Sequence, residues 1–266
     1  MKSVFTMNDA KVLRELILNS VKSSANKDGH NYVLLSGGID STVILYAFLE
    51  LGIPYTAVNF SFNDFVSSDT ASVKRLEELS GINVNYVKLD NNNIDDIKTS
   101  AKMCRELFGR IRKVKVEAIY ALYQVNKHLK ADWNIYTGYG GDSSCCYHKK
   151  DAILISKLGE EHPDVIRMRK RVDTKDEFRL VFGTERYFSP ITDANITEFF
   201  LNYTSKALNN RFPKSCLVYA FDDYFKKYKN ARKPLGFHKA SGEVDMFEDL
   251  AVKNGYENAL KWFNNI

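Results

Sequence analysis

One short turn limits what this chain can fold into more than any other part of it. Ser36-Gly37-Gly38-Ile39-Asp40-Ser41-Thr42 follows the apolar run Tyr32-Val33-Leu34-Leu35 and opens an apolar stretch from Ser41 to Leu51. The run reads as a buried strand, and the stretch, stopped by Gly52 and Pro54, reads as a helix. Strand, glycine loop, helix presents successive backbone N–H groups and a helix N-terminus to an anion, and the serine hydroxyls add donors. Asp40 would repel a phosphate at that place unless a cation lay between them. Its presence therefore implies Mg²⁺ bridging carboxylate and phosphate oxygens. No Gly-Lys-Ser/Thr follows, so the loop is not of the Walker type.

The rest of the chain repeats the alternation. Tyr55 to Phe60 reads as a strand, Asp69 to Ser80 as a helix ending at Gly81, and Val84 to Leu89 as a third strand. Helical patterns over Ile97 to Phe108 and Val114 to Leu129 lead into a strand from Trp133 to Thr137. Such alternation predicts an α/β fold, a twisted parallel sheet with helices on both faces. Strand signals fade after Gly138, and helices are expected at Ile196 to Leu208, Ser215 to Tyr228 and Val244 to Asn254, forming a helical C-terminal lobe. Ahead of the first strand, Asn8-Asp9 can cap a helix whose apolar face is Val12, Leu13, Leu16, Ile17 and Val21. The expected division is an N-terminal helix and linker over 1–29, an α/β nucleotide-binding core over 30–150 and a helical extension over 151–266.

Composition excludes several other classes. With 44% apolar and 27% charged residues, the 266-residue chain has too much core material to be disordered. Its excess of basic over acidic residues is 38 against 33, a net +5 that suits a phosphate-bearing ligand as well as a polynucleotide. Basic clusters at Arg105, Arg110, Arg112, Lys113 and Lys115, and at Arg167, Arg169, Lys170 and Arg171, lack interleaved aromatics. They read as solvated faces or an ATP and substrate rim rather than a nucleic-acid groove. Cys104, Cys145, Cys146 and Cys216 form neither a CxxC pair nor a Cys/His ladder and are expected to be reduced packing residues. No apolar stretch approaches the roughly 18 residues of a membrane span, and Met1 to Phe5 lacks the apolar segment of a signal peptide. A soluble, cytoplasmic protein is expected.

A second glycine-rich turn, Thr137-Gly138-Tyr139-Gly140-Gly141-Asp142, ends the fourth expected strand. Parallel strands deliver their following loops to one edge of the sheet, so Asp142 can meet Asp40 there across a shared metal.

The first turn resembles the PP-loop, SGGxDS, of the N-type ATP pyrophosphatases, which cleave ATP between the α and β phosphates and form adenylated intermediates. The second narrows the likeness. Asparagine synthetases carry GEGxDE at this place, whereas the β-lactam and carbapenam synthetases carry TGYGxD, which this chain matches. Farther on, Arg232-Lys233-Pro234-Leu235-Gly236-Phe237-His238-Lys239-Ala240-Ser241-Gly242 is similar to their segment RPKLGxHxxSG, and Phe212-Pro213-Lys214-Ser215 to their lysine-bearing helix start.

That resemblance implies an ATP- and Mg²⁺-dependent synthetase. It would adenylate a small-molecule carboxylate, release pyrophosphate, and let an amine displace AMP, within the same molecule where the product is a lactam. The resemblance also implies the roles. Leu35, Ser36, Gly37, Gly38, Asp40, Ser41, Thr42, Asn59, Gly138 and Lys214 would bind the nucleotide, with Asp40 and Asp142 on the metal. Tyr139 and Glu177 would form the dyad that deprotonates the amine, with Asp173 and Glu185 as alternatives to Glu177. A free phenol, of pKa about 10, is a poor base at neutral pH and needs such a carboxylate. Lys233 would stabilise the developing oxyanion, but it lies one position from the family's lysine, and Lys239 competes for that role. Related synthetases use a cysteine after the initiator methionine to hydrolyse glutamine. Lys2 stands there in this chain, so the nitrogen is expected from free ammonia, an ammonia-donating partner or a substrate amine. Three other readings share the first loop: an ammonia-dependent asparagine-synthetase-like ligase, a tRNA-modifying PP-loop enzyme and a non-catalytic nucleotide sensor.

Overall fold

A computed structural model describes residues 1–62, 67–90, 93–145, 149–170, 176–228 and 243–266. Its centre is a parallel sheet of β1 (Asn31–Leu34), β2 (Thr56–Phe62), β3 (Val84–Leu89), β4 (Asn134–Tyr136) and β5 (Tyr187–Phe188), in the order β3-β2-β1-β4-β5. β1 pairs with β2 through Val33 opposite Ala57, and with β4 through Tyr32 opposite Ile135. The chain therefore leaves β1 in one direction along the sheet and returns on its other side at β4. Ligands of open α/β sheets bind at such a reversal, outside the carboxyl ends of the strands.

The β1 sequence dictates a covered sheet, because both of its faces are apolar. Val33 and Leu35 point into a core shared with the helices Met7–Ser24 and Ile39–Leu51, where Leu13, Ile17, Val43 and Phe48 are buried. Tyr32 and Leu34 point the other way, toward Ile97, Ala101, Ile119 and Leu122 of the helices Ile94–Phe108 and Lys113–Asn126. Each such aliphatic side chain contributes about 1.5–3 kcal/mol by leaving water. The α/β sheet with helices on both faces and a helical lobe is the architecture the alternation predicts.

Four local expectations are corrected. The first helix is capped by Thr6, not by Asn8-Asp9; Asp9 occupies the third helical position and bonds back to Thr6 N at 2.8 Å, closing a capping box. The helix expected over Ile196 to Leu208 is two, Ala194–Leu201 and Ser205–Leu208, because Thr204 caps the second. That expected over Ser215 to Tyr228 breaks at Phe221, a buried ring, into Ser215–Ala220 and Asp222–Tyr228. Finally, the stretch expected to be purely helical supplies β5, whose Tyr187 and Phe188 pair with Ile135 and Tyr136. Among the described residues no helix is long and apolar enough to cross a membrane.

Candidate active site

The first turn builds its own geometry. Ser41 Oγ accepts from Ser36 N at 3.1 Å and donates to the Gly38 carbonyl at 3.2 Å, while Ser36 Oγ accepts from Gly38 N at 3.3 Å. Gly37 has φ +70°, and a Cβ there would stand 2.7 Å from Ser72 Cβ. Gly38 is the N-cap of Ile39–Leu51, with no side-chain cap among the described residues. The first N–H groups of that helix thus face the sheet edge as anion donors. Beneath the loop, buried Asn59 donates to the Leu35 carbonyl at 2.8 Å and accepts from Thr70 Oγ1 at 2.7 Å. In this arrangement Asn59 supports the loop from below, and the Leu35 side chain belongs to the core.

The second turn lies against the first. A Cβ on Gly138 would come within 2.4 Å of the Asp40 carbonyl carbon and of Ser41 N, and one on Gly141 within 2.5 Å of Asp40 Oδ1. Only glycines permit this approach, and it brings Asp142 to Asp40. Lys214 joins them. Its ammonium pairs with Asp40 and, at 2.5 Å, with Asp142, while its own side chain is 3% exposed. Burial works against that charge, but Asp40 and then Asp142 outweigh it and raise the lysine above its ordinary value. Lys214 is also the one non-glycine with positive φ among the described residues, at +60°. Asn209 holds it there, accepting from Lys214 N at 2.7 Å and donating to the Cys145 carbonyl at 2.7 Å. Two carboxylates converging on one cation are a hard oxygen donor set, and Mg²⁺ takes such sets with one or two carboxylates. The residues fit that ion.

Tyr139 begins the other half of the site. Its carbonyl accepts from Ser189 Oγ at 2.5 Å, its ring packs 4.4 Å from that of Phe178, and its hydroxyl donates to Glu177 Oε1 at 2.7 Å. Glu177 lies in the first turn of the helix Asp176–Phe182 and is 1% exposed. Glu185 is on the surface. Asp173, Cys146, Lys233 and Lys239, with the segment Arg232 to Gly242, lie outside the described residues.

The basic clusters need correcting at two positions. Arg169, 2% exposed, donates to the Phe200 carbonyl at 2.7 Å and to Glu160 at 3.2 Å, and so is a strut between helices. Lys115 turns inward, its Nζ 2.5 Å from Glu177 Oε1 and 3.5 Å from the Tyr139 hydroxyl. Neither has an apolar–polar signal that marks it in the sequence. Cys104, Cys145 and Cys216 are free buried thiols, and the sulfurs of the latter two are 3.7 Å apart.

No curated protein sequence matches the chain. Among solved structures it is similar to NMN synthetase from Francisella tularensis, at 13% identity and a TM-score of 0.35, covering 87% of this chain and 100% of that one. It is similar also to the U34-tRNA thiolase NcsA from Methanococcus maripaludis with its [4Fe-4S] cluster, at 15% identity and a TM-score of 0.33, covering 90% of each. The sequence profile of the asparagine synthase family matches residues 12–187, well over half of the 266. That span contains both glycine-rich turns, Tyr139 and Glu177, and by it the chain belongs to the asparagine synthase family, a family of ATP-dependent ligases.

Proposed function

We propose that this protein forms an amide bond at the expense of ATP, using a carboxylic acid and a substituted amine, with both groups in one molecule giving a lactam. The observation that carries the reading is the hydrogen bond from Tyr139 to buried Glu177, on the turn that abuts Asp40. A glutamate at the tyrosine's place serves ammonia in the resembling asparagine synthetases. In the β-lactam and carbapenam synthetases that this turn resembles, a tyrosine and a glutamate instead take the proton from an amine that brings its own substituents.

In the first step a substrate carboxylate oxygen attacks the α-phosphorus of ATP, the bond to the bridging oxygen breaks, and pyrophosphate leaves. The N-terminus of the helix Ile39–Leu51 and the hydroxyls of Ser36, Ser41 and Thr42 receive its charge, and the Lys214 ammonium adds a fixed cation. Asp40 and Asp142 would hold Mg²⁺, which neutralises phosphate oxygens when bound. In the second step the amine nitrogen attacks the acyl carbon and AMP departs with the electron pair of the broken C–O bond. The amine proton goes to the Tyr139 oxygen as the phenolic proton passes to Glu177. Lys233 takes the oxyanion role that the resemblance implies.

The test uses ATP, Mg²⁺ and labelled pyrophosphate with a panel of amino acids bearing a second carboxylate or a second amine. The intact protein is expected to exchange pyrophosphate into ATP with at least one acid and to yield its amide. Tyr139→Phe is expected to keep the exchange and to slow amide formation by about 10²–10⁴-fold. Loss of both steps, or of neither, removes Tyr139 as base. Asparagine formed from aspartate and ammonia, with no other acid accepted, would establish the ammonia-dependent ligase in place of this reading.

A further inference from the structure

The ion pair between Lys115 and Glu177 has no place in the mechanism above, yet it meets the mechanism's central hydrogen bond on the same oxygen. Glu177 Oε1 takes the Tyr139 hydroxyl at 2.7 Å and the Lys115 ammonium at 2.5 Å, while Oε2 is buried with no hydrogen-bond partner among the described residues. The lysine side chain is 19% exposed and that of the glutamate 1%, so the pair is far drier than an ordinary surface bridge. Lys115 comes from the first turn of the helix Lys113–Asn126, and its ammonium lies 5.5 Å from the centre of the Phe108 ring. Arg112 covers the same ring at 5.0 Å, which leaves the lysine to face inward.

We propose that Lys115 is a positioning residue of the ligase site, whose ammonium holds Glu177 as the proton acceptor of Tyr139. This assignment rests on the ligase reading above. The chemistry follows from the two distances. Before the step, the cation offsets the cost of a carboxylate buried with one oxygen unpartnered. During it, the phenolic proton moves to Oε1 and the amine proton to the tyrosine oxygen, so Glu177 and Tyr139 both end neutral, and the ammonium, on a side chain 19% exposed, is left to water and to the oxygen dipoles beside it. The ammonium lies 2.5 Å from Oε1 and 3.5 Å from the phenol oxygen, so it fixes the accepting oxygen beside the group that donates to it. A lysine that only tied the two helices together would need to touch neither the phenol nor the oxygen the phenol uses.

The experiment separates the half-reactions with the same panel of acids, ATP, Mg²⁺ and labelled pyrophosphate, in the full chain. Lys115→Met is expected to retain pyrophosphate exchange and to lower amide formation about a hundredfold. Lys115→Arg, which keeps the cation, is expected to restore most of it. Because Lys115→Met leaves a buried carboxylate alone and can unfold the chain, the double variant Lys115→Met/Glu177→Gln is measured beside Glu177→Gln. The two are expected to make amide at equal rates. Amide formation unaffected by Lys115→Met, exchange falling with it, an arginine as poor as the methionine, or a double variant slower than Glu177→Gln would each overturn the assignment. An intact protein that exchanges with no acid of the panel, or a Tyr139→Phe variant that makes amide at full rate, would instead overturn the ligase reading itself.

Discussion

Lys214 carries two costs and the pairing that offsets them. Its backbone is left-handed, its ammonium is buried, and two carboxylates pair with it. A left-handed non-glycine costs about 1–2 kcal/mol, so the ion pairs and the Asn209 bond must hold it there. Lys214→Met would leave Asp40 and Asp142 facing each other. The expected loss of stability is about 3 kcal/mol, at the lower end for a broken buried pair because Asp142 keeps 36% of its side chain in water. Urea unfolding measures it, and Mg²⁺ without nucleotide is expected to recover part of the loss in Lys214→Met and to do less for the intact chain. Equal responses to the ion would contradict a shared cation site. Gly138→Ala tests the contact from the other side: a Cβ 2.4 Å from Asp40 backbone atoms pushes the turns apart and is expected to abolish pyrophosphate exchange. The meeting of these glycines and aspartates was legible in the sequence because each sits in a glycine-rich turn at the end of a parallel strand. Lys115 and Asn209 were not, since a lysine in a basic run and an asparagine beside another carry no mark of the partner that folding brings them.

At the scale of the element, the strand-loop-helix units were readable because buried parallel strands are continuous apolar runs and their helices end in glycine. Gly52, Gly81 and Gly109 each close a helix in the left-handed conformation. The later helices were not, because Phe221 and Thr204 act within unbroken periodic patterns: one ring turns into the core, one hydroxyl finds an N–H. β5 has two residues, too few for any alternation to show, and exists because Tyr187 and Phe188 complete the edge beside β4. The first helix has a pH signature of its own. Asp9 accepts from Thr6 N and Thr6 Oγ1, from Tyr203 at 2.5 Å and from Lys2 at 3.3 Å. Burial alone would raise its pKa, but the hydrogen bonds from Tyr203 and Thr6 outweigh this and hold it well below the usual carboxylate range. The folded value lies below the unfolded one, so the stabilisation is complete above about pH 4 and is lost as the pH falls through the folded value. Thermal melts from pH 5 to pH 2 are expected to fall less steeply for Asp9→Asn than for the intact chain, which starts higher. Parallel curves would show that Asp9 is not the titrating group.

The molecule as a whole is a sheet wedged between two cores, and phenols mark the seams on both sides. Tyr136 lies in one core with its hydroxyl 3.1 Å from Ser24 Oγ, and Tyr120 lies in the other, donating to the Asp90 carbonyl at 2.8 Å. Tyr187 sits at the sheet edge with its hydroxyl 2.9 Å from Thr137 Oγ1, the oxygen that also accepts from Tyr139 N. Burial pushes Tyr136 up to about 12, and Tyr55, with a smaller contribution from Tyr228, also to about 12. It raises Tyr120 and Tyr187 further. A tyrosine whose folded value exceeds the unfolded one, about 10, contributes stability that is whole below that pH and lost above it. The chain is therefore expected to unfold cooperatively between pH 10 and pH 12, phenolate absorbance rising together with the loss of helical circular dichroism. Because Tyr187 braces the turn that carries Tyr139 against the carboxyl edge of β4, amide formation is expected to fail within that same transition. Phenolate appearing gradually, with the helical signal and the amide-forming step intact to pH 12, would mean that the two cores are wetter, and the edge less dependent on them, than this packing requires.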